Sequence, residues 1–234
     1  MPAKNSIKTY VEGGYYHIYN RGVNKQNIFF DDADFVYFIY LLKIYLSSPK
    51  TVTEELKKFS TICKYLPDNY YQKLYIVCFC LMQNHFHLIV HQTEARTLEH
   101  FMRSFTIKFS MYMKRKYNRC GHLFQDSYKG VLITHDSYLL HLSRYIHLNP
   151  IELSTPAESI KKKWASFADY PYSSYQWYLN NIHTEWFNPT VVLDFFNRKN
   201  IFVPRNVLSY GSFVSTFNSD LPDSLKEIAI DSEK

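Results

Sequence analysis

The sequence predicts an α+β fold: a ferredoxin-like, split βαβ antiparallel sheet with helices on one face, followed by a C-terminal helical and loop appendage. Three observations predict it. Short runs of β-branched and aromatic residues alternate with longer runs whose apolar residues recur at three- and four-residue spacing. Their order along the chain is β-α-β-β-α-β-α. And 234 residues with 46% hydrophobic and 21% charged content suit one compact domain with additions. Aromatics reach 18% and glycines number only six, which excludes collagen-like, low-complexity and disordered chains.

Each element has its own signal. Tyr15 to Asn20 is rich in β-formers and stops at Arg21-Gly22, a strand and its turn. Asp31 to Leu46 reads as a helix: Asp31 and Asp32 offer an N-cap and first-turn acids, and Phe35, Phe38, Ile39, Leu42 and Leu46 share a face. An insertion over about residues 47–73 is expected to hold a short helix, Thr51 to Leu66, closed by Pro67-Asp68-Asn69. Leu74 to Met82 is apolar on both sides and is expected as a central strand. Gln83-Asn84 turns the chain into a third strand, His85 to His91. Thr97 to Tyr117 is a long helix with Leu98, Phe101, Phe105 and Phe109 inward and its basic residues outward. Lys129 to Thr134 is the fourth strand. Asp136 to Leu148 is a helix capped by Asp136 or Ser137 and ended by Pro150.

Beyond Glu152 the patterning weakens. Tyr170 to Tyr175 reads as a loop, and helices are expected near Thr190 to Phe196 and Pro204 to Phe217. The expected division is a domain over 1–152 and an appendage over 153–234 packed on it, with the polar tail from Asp220 partly disordered.

The longest apolar stretch, Leu74 to Met82, is far too short to span a bilayer, and Met1 to Tyr10 lacks a secretory apolar core. Four cysteines are too few for a disulfide scaffold at this size. A soluble, reduced, cytoplasmic protein is the expectation. The net charge is +6, and its distribution says more than its size. Arg96, Arg103, Lys108, Lys114, Arg115, Lys116, Arg119 and Lys129 meet only Glu99 and Asp126 across that stretch, and Lys161-Lys162-Lys163 precedes Trp164. Basic residues interleaved with aromatics suit single-stranded nucleic acid, through phosphate contacts and base stacking. A solvated helix face gives the same pattern.

Three features carry candidate chemistry. In His85-Phe86-His87 the period of two puts both imidazoles on one sheet face, an arrangement that suits a divalent metal. On the helix from Asp136, a stripe of Leu139, Leu142 and Ile146 must pack on the sheet. Tyr138, His141, Tyr145 and Asn149 form the adjacent stripe, with Tyr145 and Asn149 one turn apart and able to reach one small volume. Asn20-Arg21-Gly22 and Gly121-His122-Leu123-Phe124-Gln125 are polar and aromatic turns of the kind that line a nucleic-acid groove. A competing arrangement joins Cys78 and Cys80 to His85 and His87 around a structural zinc.

With these motifs in hand, the chain resembles the single-tyrosine HUH transposases of the insertion-sequence-200/605 type, and more closely the REP-associated tyrosine transposases. The matching stretches are 16–22 (Tyr-His-Ile-Tyr-Asn-Arg-Gly), 80–88, 121–125, 137–139, 144–150 (Arg-Tyr-Ile-His-Leu-Asn-Pro) and 170–175 (Tyr-Pro-Tyr-Ser-Ser-Tyr). They run in family order. The resemblance implies that His85, His87 and Asn149 hold Mg²⁺ or Mn²⁺ and that Tyr145 is the nucleophile. It further implies transposase-type cleavage and rejoining of single-stranded, hairpin-containing DNA through a 5′-phosphotyrosine, with REP-like palindromes as partners. The enzyme would be a metal-dependent endonuclease and strand transferase, monomer or homodimer. His141, one turn before Tyr145, is a candidate assisting base. Asn20, Arg21, Arg103, Lys108, Arg115 and Gln125 are candidate DNA contacts. The alternative is a non-catalytic, domesticated DNA- or RNA-binding module on the same fold. The chain departs from the family at Gln83, where proline is common, and at Ile151-Glu152, in place of a basic continuation. The insertion at 47–73 and the extension at 180–234 are further departures.

Overall fold

The computed structural model describes residues 9–58, 68–152, 167–197, 203 and 207–216. The lysine run at 161–163, the second half of the helix expected at 51–66 and the tail from Asp220 lie outside the described residues.

Four antiparallel strands form one sheet: β1 (Tyr15–Arg21), β2 (Leu74–Met82), β3 (His85–Gln92) and β4 (Lys129–Ile133), in the spatial order β2-β3-β1-β4. That order, with α1 (Asp32–Leu46) between β1 and β2 and α3 (Thr97–Tyr117) between β3 and β4, is the expected split βαβ arrangement. The insertion holds α2 (Pro49–Lys58), which begins two residues before the expected helix.

The fold class is as expected, α+β with an antiparallel sheet, but its helices are not confined to one face. α1 and α3 cover the Phe86 face: Phe86 packs on Phe38 of α1, and Phe38 meets Phe105 and Phe109 of α3. The helix α4 (Asp136–Glu152) covers the opposite face, where its Tyr145 ring meets His87. Phe86 and His87 are neighbours on one strand and so point to opposite sides. Both sheet faces are therefore covered by helices.

This explains why β2 reads as central although it lies at the edge. Its open side is covered by chain from the C-terminal segment: Leu81 N donates to Tyr172 O, Ser174 N to Phe79 O and Ile76 N to Trp186 O. A covered edge strand needs the same two-sided apolar pattern as an interior one, and coverage also prevents edge-to-edge association. The covering segment includes α5 (Tyr175–Leu179), α6 (Thr190–Asn197) and α7 (Tyr210–Ser215), which pack through Trp177, Phe187, Phe196 and Tyr210.

Two local devices set the ends of the site. At the start of α1, Asp31 and Asp34 form a capping box, and the buried Asp34 also accepts from Tyr112 Oη, Tyr117 Oη and Lys116 Nζ. This ties the end of α3 to the start of α1. At the end of β1, a Cβ on Gly22 would run into the carbonyl oxygen of Gln26, so only glycine lets the chain turn there. Pro150 was expected to end α4 but lies inside its last turn. Proline removes one N–H donor there, while its fixed φ near −65° is itself helical.

Candidate metal and nucleophile site

The site forms where β3 begins, β1 ends and α4 crosses them. The β1–β3 register pairs Arg21 with His85, Tyr19 with His87 and His17 with Ile89. Directly paired antiparallel residues share a face, so His17, Tyr19, His85 and His87 all project toward α4. On α4 the 3.6-residue period brings Tyr145 and Asn149 to the same side. His85, His87, Tyr145 and Asn149 are 5%, 0%, 5% and 2% exposed.

The hydrogen bonds orient the donor atoms. Asn149 Nδ2 donates to Tyr145 O, one turn back (3.0 Å), which leaves Oδ1 as the outward end of the amide. That oxygen lies 3.4 Å from His85 Nε2. On the far side of the His85 ring, Nδ1 is 2.6 Å from Asn84 Oδ1. Asn84 Nδ2 in turn donates to Lys25 O (3.2 Å), so Asn84 presents its acceptor to His85. Asn84 thus offers an acceptor to His85 Nδ1, and two ligand-type atoms, His85 Nε2 and Asn149 Oδ1, approach one another on the other side of the ring. His87 adds a third: its Nε2 is buried with no hydrogen-bond partner among the described residues. Its ring stands edge-on to His85 at 5.1 Å. Burial holds the His87 ring well below the ordinary histidine pKa, with His17 and His85 adding to the effect, so the ring is the neutral, ligating form.

The unpartnered His87 Nε2, with His85 Nε2 and Asn149 Oδ1 close to one another, makes a buried set of nitrogen and oxygen donors that fits a divalent cation. Among the described residues, no group of three or more His, Cys, Asp and Glu is placed to hold a metal. The candidate ligand set thus depends on Asn149 as its third member. The competing zinc arrangement is corrected here. Cys78 Sγ lies 3.3 Å from His147 Nε2, and Cys80 Sγ points to Met82 Sδ at 3.6 Å. Burial pushes both thiols up, away from the thiolate form that zinc needs.

The Tyr145 ring lies 5.8 Å from that of His87. His141 contacts Arg144, with Nδ1 3.0 Å from Nη2, and its ring lies 5.6 Å from Phe213 of α7. Burial lowers its pKa.

The candidate DNA contacts divide. Asn20 is buried and structural: its Nδ2 donates to Asp126 O and its Oδ1 accepts from Arg21 N, which holds the 121–127 loop along β1. Arg21 O accepts from Gln125 N, while the Gln125 side chain is exposed. A groove of about 560 Å³ opens between that loop and α3, lined by Ile107, Met111, Lys114, Arg119 and Gln125 among others. Arg103 is exposed one turn before Ile107. Lys108 and Arg115 lie on the next stripe around α3. Three other basic residues are engaged: Lys116 with Asp31 and Asp34, Arg96 with Glu99, and Arg119 with Gln26 and His122 O.

The sequence reading gave no role to His17, Asn84 or His147. His17-Ile18-Tyr19 alternates like His85-Phe86-His87, which was the available signal. Only the strand register shows that the two alternations share a face.

Fold and site together define a sheet protein with a paired-histidine and amide centre beneath a helix-borne tyrosine. Residues 48–149, which carry both histidines, Tyr145 and Asn149, match the family model described as IS200-like transposase. The match covers somewhat less than half of the chain and supports the resemblance read from the motifs. Among solved structures, the chain is similar to a REP-associated tyrosine transposase bound to a REP hairpin, at 10% identity, over 79% of this chain and 91% of that one, with a TM-score of 0.50. That likeness is one of fold. A candidate transposase from Deinococcus radiodurans R1 also aligns, at 12% identity over 62% of this chain and 95% of the other, with a TM-score of 0.35. No curated protein sequence matches the chain. These findings support a transposase-type function, and no helix among the described residues is long and apolar enough to cross a membrane.

Proposed function

We propose that the protein cleaves and rejoins single-stranded, hairpin-containing DNA through a 5′-phosphotyrosine on Tyr145. The observation that carries this reading is the convergence of His85 Nε2, His87 Nε2 and Asn149 Oδ1 beside the Tyr145 ring. His85, His87 and Asn149 would hold Mg²⁺ or Mn²⁺. When bound, such an ion polarises the scissile phosphate and stabilises charge in its transition state.

The chain's own residues do the rest. Tyr145 loses its phenolic proton, and its oxygen forms a bond to phosphorus as the bond to the 3′-oxygen breaks. That oxygen takes up a proton and leaves as a 3′-OH. Because the new linkage is still a phosphodiester, a 3′-OH from another strand reverses the step and joins new ends. Helix α4 keeps the tyrosine and Asn149 in fixed relation through one turn of backbone. The exposed Arg103 and Arg115 and the half-buried Lys108, with Gln125 at the loop, would follow the DNA backbone toward the site. The hairpin held by the structurally similar REP-associated transposase supports a hairpin substrate here.

The test is a denaturing gel of a 3′-labelled hairpin library with wild-type and Tyr145→Phe protein, in Mn²⁺ and in chelator. The label should shift to a covalent protein adduct only in wild type with metal. DNA binding with no adduct in any condition would leave a non-catalytic binding module as the better description.

A further inference from the structure

We propose that His17 is a positioning residue that selects the ligating tautomer of His87. The inference rests on reading His85, His87 and Asn149 as metal ligands. His17 is fully buried on β1, and its Nε2 lies 2.9 Å from His87 Nδ1. The rings are nearly parallel, at 13°, and Tyr19 packs beside His17 with ring centroids 4.8 Å apart, so neither ring is placed to swing.

A contact this short holds one proton. If His17 donated it, the single proton of the neutral His87 ring would sit on Nε2, which would then be a buried N–H donor with no lone pair in the plane of the ring for a cation. If His87 donates from Nδ1 to His17 Nε2, the His87 Nε2 lone pair is left open. That is the atom with no hydrogen-bond partner among the described residues. Asn84 stands in the same relation to His85, with its oxygen against Nδ1 and Nε2 turned to Asn149. Each candidate ligand thus has an acceptor behind it that sets its proton, the arrangement by which outer residues orient metal-binding histidines. Packing alone does not account for His17, since an apolar side chain would fill the space without leaving its Nδ1 buried and unpartnered.

Two measurements on the full chain test this. With ¹⁵N-labelled histidine, long-range ¹H–¹⁵N correlation on metal-free protein reads the tautomer of His87, assigned by comparison with His87→Gln. Mn²⁺ titration followed by electron paramagnetic resonance gives Kd for wild type, His17→Leu and His17→Gln, with melting curves to establish folding. His87 should carry its proton on Nδ1. His17→Leu should weaken Mn²⁺ binding about 10- to 100-fold, and His17→Gln, which can place an amide oxygen at the same point, should restore most of it. A proton on His87 Nε2, or a folded His17→Leu with wild-type Kd, overturns the proposal. If His17→Leu does not fold, the wild-type tautomer and the His17→Gln titration decide. Wild type that binds no Mn²⁺ removes the metal reading itself and the role with it, whereas binding that ignores His17 removes the role alone.

Discussion

Two clusters of buried histidine border α4, and they differ in what they leave open. Toward the sheet, His17, His85 and His87 surround the space in front of Tyr145 and Asn149, and His87 Nε2 and His17 Nδ1 have no hydrogen-bond partner among the described residues. Toward the C-terminal segment, His147 is satisfied on both nitrogens: Nδ1 lies 2.6 Å from Tyr210 Oη and Nε2 lies 2.7 Å from Ser174 Oγ. Tyr210 Oη goes on to donate to Ser143 Oγ, so the neutral His147 ring donates from Nδ1 to Tyr210 Oη and accepts at Nε2 from the Ser174 hydroxyl. Both clusters are buried, and in both burial lowers the histidine pKa. The closed network fastens the C-terminal segment to α4 and to the edge of β2. The open one leaves buried ring nitrogens unsatisfied. A buried polar group without a partner is costly to keep, so its presence beside a fully satisfied neighbour is informative about function.

The comparison can be broken by experiment, and the largest effect should come from the open side. Tyr145→Phe should abolish the covalent adduct while leaving the melting temperature close to that of wild type. Retained adduct formation would place the nucleophile elsewhere. His87→Ala should slow cleavage about a thousandfold at saturating DNA, a loss of about 4 kcal/mol of transition-state stabilisation, with only a modest change in folding. If its rate stays within a few fold of wild type, the open cluster is not the reaction centre.

The closed side should respond in the other currency, stability. His147→Leu takes one hydrogen-bond partner from each of the Ser174 and Tyr210 hydroxyls and should lower the free energy of urea unfolding by about 3 kcal/mol. Ser174→Ala, which removes one hydroxyl, should cost about 1–2 kcal/mol. Folded fractions of both variants should bind Mn²⁺ like wild type, so a selective loss of metal affinity would erase the distinction between the clusters. The smallest effect belongs to the groove beside α3. Lys114→Gln should reduce the salt dependence of single-strand binding by about 0.7 in log–log slope, the value of one phosphate contact, and an unchanged slope would take DNA away from that groove.

Much of the candidate site's geometry is legible in the sequence, because the relevant periods are local. Alternation put His85 and His87 together across Phe86, and the helical period put Tyr145 above Asn149. The capping acids at Asp31 and Asp32 and the inward row Leu98, Phe101, Phe105 and Phe109 were legible for the same reason. Other features depended on distant chain. β2 looked central because an edge covered by Tyr172 and Ser174 needs the composition of an interior strand. Lys116 read as one more outward charge on a basic helix, yet it is held by Asp31 and Asp34 from the other end of the sequence.

By itself, then, the sequence determined the order of elements, the facing of each side chain within its own element, and the residues able to carry chemistry. Those follow from backbone geometry that repeats every two residues in a strand and every 3.6 in a helix. Only the tertiary structure decided that α4 lies on the opposite face from α1 and α3, that His17 stands behind His87, and that His147 is fastened while His87 is left open. Strand register and the choice of face are settled by which long-range packing buries both sides of the sheet and satisfies its polar atoms, and no local period in the chain encodes that outcome.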